Sequence, residues 1–205
     1  DQEALAHFLR DDKAEQYGDL IGKHPAMAAL SREIVKHSQS ADPLLIVGER
    51  GAGKEIAARL IHARGPRKDA PIVSVACSQI SETPWGDKLF GAYVGSSASR
   101  PRSQDVCYLA LAEGGTIVLK DIELLPIPIQ ERLAAFLEGG SAAKARVRFI
   151  AATRSHLEEL AQVGKVSESL ARAFVGDTLT VPPLRARKRD IPEIVFFTFA
   201  SGNYN

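Results

Sequence analysis

The sequence predicts an α/β fold: a parallel sheet with helices on both faces. Short apolar runs alternate with helical stretches along most of the chain, the pattern of βα units. Those runs are nearly continuous in apolar residues, as strands buried on both faces must be. At the first junction of strand and helix lies a glycine-rich G-x-x-x-x-G-K segment, the pattern of a loop that cradles phosphate.

Each element has its own signal. Residues 2–16 read as a polar helix with Leu5, Phe8 and Leu9 on one stripe, either a linker helix entering from a preceding domain or a frayed terminal helix. After Pro25, Met27, Leu30 and Ile34 recur at helical spacing. Strands are expected at Leu44–Val47, Ile72–Val75, Ile117–Leu119, Val147–Ala151 and Thr178–Val181. Between them, Glu55–Ala63, Ile129–Leu137 and His156–Val163 carry helical patterns, and a last helix is expected from Asp190. The stretch Gly95–Ser103 (GSSASRPRS) reads as a mobile loop. A sheet of this kind places ligands outside the carboxyl ends of its strands.

Composition narrows the classes. The chain has 205 residues at 22.1 kDa, with 45% hydrophobic and 25% charged residues, enough to bury a core in one full-sized domain. No apolar run approaches the roughly 18–20 residues that span a bilayer, and Asp1, Gln2 and Glu3 lack the basic start of a signal peptide. Lys and Arg total 26 against 25 Asp and Glu, so no basic footprint for nucleic acid covers the whole chain. Cys77 and Cys107 stand far apart without a Cys/His partner pattern, which argues against a disulfide framework or a structural zinc. A reduced, cytoplasmic domain is expected, with no membrane partner.

The cradle is Gly48-Glu49-Arg50-Gly51-Ala52-Gly53-Lys54-Glu55, with Glu55 where most phosphate loops carry Ser or Thr. Glycines let the backbone curl so that successive N–H groups face inward, and the helix N-terminus adds its dipole. Lys54 then reaches the outer phosphates. A strand before and a helix after weigh against a glycine-rich turn that binds nothing.

GERGAGKE resembles the GESGTGKE box of the sigma-54-dependent transcription activators, the NtrC-like branch of the AAA+ ATPases. The likeness runs from about Tyr17 to Ile191 through IVSVACSQI (Ile72–Ile80), LFG (Leu89–Gly91), EGGTIVLKDIELLP (Glu113–Pro126), VRFIAATRSHLEEL (Val147–Leu160) and VPPLRARKRDI (Val181–Ile191). The resemblance implies a P-loop AAA+ core over residues 17–191, a linker helix over 1–16 and the start of a truncated helical lid over 192–205. It also implies ATP or ADP as ligand, self-association within a larger response regulator, and DNA contact through a C-terminal domain beyond this chain.

Departures fall on the working positions. Where the family has an Asp that holds Mg²⁺ and a Glu that orients the attacking water, this chain has Lys120 and Asp121. An ammonium repels a divalent cation, and the shorter carboxylate sits farther from the water. Sliding the motif by one would turn Asp121 to the other face of the strand, and Glu123 lies too far into the next turn to be assumed a substitute. The family's sensor Asn is Arg154, and its two arginines that reach the neighbouring subunit are Ser167 and Ala173. Arg172 is one residue off, a rotation of roughly 100° on a helix. The GAFTGA grip on sigma-54 is replaced by Ala92-Tyr93-Val94-Gly95 and a Ser/Arg-rich segment. The expectation is therefore a degenerate domain that is poor at hydrolysis, holds no catalytic metal and does not grip sigma-54. Two alternatives stay open: a slow ATPase that uses Asp121 or Glu123, and a metal-free sensor of a signalling nucleotide held by Lys54, Lys120 and Arg154. Lys120 itself is expected near Lys54, with an anion, Asp121 or Glu123 as partner, or else turned to solvent. Cys77, Cys107 and Trp85 read as packing residues, and the basic run Arg185, Arg187, Lys188, Arg189 as a charged link to the lid.

Overall fold

Five parallel strands form one sheet in the order β2-β3-β4-β1-β5 among the described residues. The computed structural model describes residues 22–79, 89–90, 107–139 and 146–200. The expected linker helix at 2–16, the loop at 95–103 and Trp85 lie outside them.

In chain order the elements are α1 (Pro25–Ser38), β1 (Leu44–Val47), α2 (Lys54–Ala63), β2 (Ile72–Ala76), α3 (Tyr108–Leu111), β3 (Thr116–Lys120) and α4 (Ile127–Glu138). Then follow β4 (Arg148–Thr153), α5 (Leu157–Gln162), α6 (Glu168–Ala173), β5 (Thr178–Thr180) and α7 (Ile191–Ala200). Short 3₁₀ turns occupy Cys77–Gln79, Ile122–Leu124 and Leu184–Asp190. All five expected strands are present, with β3 and β4 reaching one or two residues farther toward their carboxyl ends than the apolar runs alone indicate.

Local chemistry sets the ends of the elements. Pro25 opens α1, where its missing N–H is no loss, and the His24 ring nitrogen Nδ1 accepts from the Ala26 N–H at 3.2 Å. Gly115 enters β3 so close to the preceding strand that a Cβ there would fall 1.9 Å from the Pro71 carbonyl oxygen. The second glycine of the EGGTI box is thus a packing requirement.

The alternating pleat sorts the strand side chains into two cores. Leu45, Val47, Val73, Val75, Ile117, Leu119, Phe149 and Ala151 point to the face covered by α3, α4 and α6. Leu44, Ile46, Ile72, Val118, Ile150 and Leu179 point to the face covered by α1 and α2. Leu89 and Phe90 of the LFG box are buried in the first core, with the Phe90 ring 5.4 Å from that of Phe136. Both faces are covered except at Thr178 and Thr180 of the edge strand β5, so the place for polar chemistry is the carboxyl end of the sheet. Truncating a fully buried strand residue such as Ile46 to alanine would cost about 2–5 kcal/mol.

Candidate functional site

The chain leaves β1 at Val47 and curls through residues 48–53 before α2 begins. Gly51 and Gly53 hold φ of 76° and 104°, a region that side chains with a Cβ avoid. This is the physical reason for glycine at both positions, and it turns the loop back over the start of α2. Lys54 is the first residue of that helix. Its ammonium donates to the Gly48 and Glu49 carbonyls at 2.7 and 3.0 Å. Burial pushes the Lys54 pKa down, Asp121 and Glu123 pull it back up, and Arg154 opposes them. The four side chains therefore share one electrostatic environment.

Lys120 ends β3, on the pleat face of Val118, which is the face covered by α2. Its ammonium meets Glu55 of α2, Nζ to Oε1, at 3.5 Å. The same oxygen accepts from the Arg59 guanidinium at 2.8 Å. The partner of Lys120 is thus Glu55, and neither Asp121 nor Glu123. The expectation of a carboxylate neighbour holds; the identity of the neighbour is corrected by the pleat, which turns Lys120 toward α2.

Asp121 adopts a left-handed backbone, φ 53°, and its carboxylate lies 3.5 Å from the Nε of Arg154 at the end of β4. The 3₁₀ turn at Ile122–Leu124 then folds the chain back. Glu123 Oε1 accepts from the Arg154 backbone N–H at 3.4 Å, and Glu123 Oε2 is buried without a hydrogen-bond partner. Sequence distance made Glu123 look remote; the tight turn returns it to the edge of the site.

Lys54, Glu55, Lys120, Asp121 and Arg154 line a cleft of about 570 Å³, within the size range of small-molecule sites. Arg50, Gly51, Gly53, Lys54, Glu55, Lys120, Asp121 and Arg154 all contribute, whereas Gly48, Glu49 and Ala52 of the cradle do not line it. Nor does Arg172: it is exposed on α6 and outside the cleft lining. Ser167 instead caps α6, its hydroxyl oxygen accepting from the Leu170 N–H at 3.2 Å. Ser78, just past β2, also lines the cleft; its position after a strand's carboxyl end was the available signal. The basic run leads into α7 and also contacts the cradle. Arg185 pairs with Glu49, and the buried Arg187 donates to the Ala52 carbonyl at 3.1 Å, so this segment braces the loop from outside.

The cradle fits phosphate: inward-curled backbone, a helix N-terminus and a lysine whose present partners are carbonyls. A divalent cation does not fit the side chains. Mg²⁺ requires oxygen ligands, yet of the carboxylates lining the cleft Glu55 is shared by two cations and Asp121 is held by a third, which leaves the single unpartnered oxygen of Glu123 at the edge. Among the described residues no group of three or more His, Cys, Asp or Glu could hold a metal ion. No helix among them is long and apolar enough to cross a membrane.

The model of the Sigma-54 interaction domain family matches residues 20–175. The response regulator protein PilR of Pseudomonas aeruginosa is 34% identical over 200 residues, covering 92% of this chain and 45% of PilR. The DNA-binding transcriptional regulator NtrC of Escherichia coli is 35% identical over 188 residues, covering 86% of this chain and 39% of NtrC. The crystal structure of NtrX from Brucella abortus in complex with ATP aligns with a TM-score of 0.77 at 30% identity, over 90% of this chain and 43% of that one. AMPPCP-bound DnaA from Aquifex aeolicus shares the fold, with a TM-score of 0.58 at 16% identity, over 94% of this chain and 57% of DnaA. The fold is that of the P-loop AAA+ domains. The chain spans less than half the length of the regulators it matches.

Proposed function

The chain belongs to the sigma-54 interaction domain family, and on that premise we propose that it is a nucleotide-binding AAA+ module of a bacterial transcriptional regulator that no longer turns over ATP efficiently. The cradle Gly48–Glu55 and its lysine hold the phosphates of ATP or ADP, the ligands with which NtrX has been crystallised. One observation carries the loss of turnover. Two of the three carboxylates beside the cradle are paired with cations of the chain itself, Glu55 with Lys120 and Arg59, and Asp121 with Arg154. A carboxylate already paired with a cation is a poorer ligand for a metal and a poorer anchor for an attacking water. Binding without hydrolysis suits a ligand-responsive or assembly module, in which nucleotide occupancy sets self-association of the full regulator. Such a regulator works in the cytoplasm and reaches DNA through a separate domain.

The decisive assay is steady-state phosphate release at high protein concentration. Turnover near background is expected, and the ordinary enzymatic range of about 1 s⁻¹ or more contradicts the reading. Glu123 supports one competing reading. Its unpartnered buried oxygen lies in the environment of Lys54, where it would orient water for a slow ATPase. In that case residual turnover is measurable and Glu123→Gln abolishes it.

The same degeneracy extends to sigma-54. In the segment from Gly91, Tyr93 keeps an aromatic side chain but Val94 stands where the family's GAFTGA has Thr, so no stable complex with sigma-54 is expected, even with a transition-state analogue of ATP. Capture of sigma-54 under those conditions contradicts this part of the proposal.

A further inference from the structure

We infer that the cleft binds its nucleoside polyphosphate without a divalent cation, the ammonium of Lys120 supplying the positive charge that a metal would bring. The inference rests on the nucleotide reading above and specifies the form of the ligand.

The observations concern where cations and carboxylates lie. Arg50, Lys54, Lys120 and Arg154 line the cleft against Glu55 and Asp121, with Glu123 at its edge. Both lining carboxylates already carry ion pairs. A cation surplus at the mouth of a helix N-terminus favours a highly charged anion. Mg²⁺ cancels half the charge of a triphosphate. Metal-free ATP is therefore drawn more strongly to that surplus than MgATP.

Lys120 is also placed and free to act. The pleat of β3 fixes its direction toward α2, and Glu55 holds its ammonium beside the second residue of that helix. The pair stands at 3.5 Å, longer than a close charge-assisted hydrogen bond, so the ammonium N–H groups remain available to phosphate oxygens. Glu55 is in turn held by Arg59 at 2.8 Å. A bound phosphate can draw Lys120 away without leaving that carboxylate unpaired. The cradle lysine has comparable freedom, since its partners are neutral carbonyls. Two ammonium groups on one cleft repel each other until an anion bridges them.

Calorimetric titration of the 205-residue chain with ATP, once in EDTA and once with excess Mg²⁺, tests this. The wild type should bind ATP in EDTA at least as tightly as with Mg²⁺. Lys120→Met should weaken binding in EDTA by about tenfold or more, one charge-assisted contact, and change MgATP affinity by less than about threefold. Lys120→Asp should abolish metal-free binding and make what remains depend on Mg²⁺. Wild-type binding that requires Mg²⁺ overturns the inference and leaves the nucleotide reading intact. So does an unchanged affinity in EDTA for Lys120→Met. Folded wild-type protein that binds ATP under neither condition overturns the nucleotide reading, and this inference with it.

Discussion

Replacing Lys54 by methionine removes the ammonium while keeping an unbranched apolar stem at the start of α2. In the nucleotide-free protein the ammonium spans two carbonyls, Gly48 at 2.7 Å and Glu49 at 3.0 Å. Carbonyls at a partly open cleft recover most of those bonds from water. The stability cost should therefore stay near 1 kcal/mol, a fall in Tm of about 2–4 °C for a domain of this size. Binding behaves differently. Against a phosphate the lost contact is charge-assisted on both sides, worth about 1.5–3 kcal/mol, or roughly 10- to 100-fold in Kd. Differential scanning fluorimetry and calorimetric titration with ATP measure the two effects on the same preparation. A variant of near-wild-type stability that has lost at least tenfold in affinity supports the cradle as the phosphate site. Unchanged affinity refutes it, whatever happens to Tm.

Three further outcomes follow from the same contacts. His62 is buried between the Thr116 hydroxyl at 2.9 Å and the Ala70 carbonyl at 3.1 Å, and burial holds its pKa below the usual 6.5. Its contribution is complete above about pH 6.5 and is lost as pH falls toward the depressed folded value, with a slope of up to about 1.4 kcal/mol per pH unit; urea denaturation at about pH 7.5 and 5.5 should show the fall in the wild type and a smaller one in His62→Gln. Cys77 and Cys107 are buried, and burial raises the Cys77 pKa far above its ordinary range; neither should react with iodoacetamide in native protein, and both should react on unfolding, as followed by mass spectrometry. Arg187→Met removes the donor to the Ala52 carbonyl and should destabilise the chain by about 1.5–3 kcal/mol while weakening ATP binding, since the cradle loses its outer brace; full stability with unaltered affinity contradicts that role.

The sheet was legible because a strand buried on both faces must be largely apolar: Leu44–Val47 and Ile117–Leu119 are apolar throughout, and the other three runs are broken only by Ser74, Arg148, Thr178 and Thr180. The cradle was legible for a related reason: the positive φ of Gly51 and Gly53 leaves little choice of residue. The pairing of side chains was not. Lys120 and Glu55 are far apart in the chain and meet only because the pleat of β3 and the start of α2 share one face. Glu123 looked remote because a chain continuing straight from Asp121 would carry it away, and the left-handed Asp121 followed by a 3₁₀ turn brings it back. The brace by Arg187 was hidden in a run of basic residues in which composition cannot tell a buried guanidinium from a solvated one. The short helices α3 and α6, of four and six residues, are too brief to leave a periodic signal, and tertiary packing rather than propensity sustains them.

Nucleotide bound yet not consumed is the core of the proposed function, and a single-turnover experiment addresses both halves at once. Protein in excess over γ-labelled ATP, with Mg²⁺ and without it, is incubated and then separated into bound nucleotide and free phosphate. Intact ATP recovered from the protein fraction after about an hour is the expected result, where an enzyme of ordinary turnover, about 1–10 s⁻¹, finishes within seconds. Labelled phosphate released on that faster timescale, or label that never associates with the protein, contradicts the account.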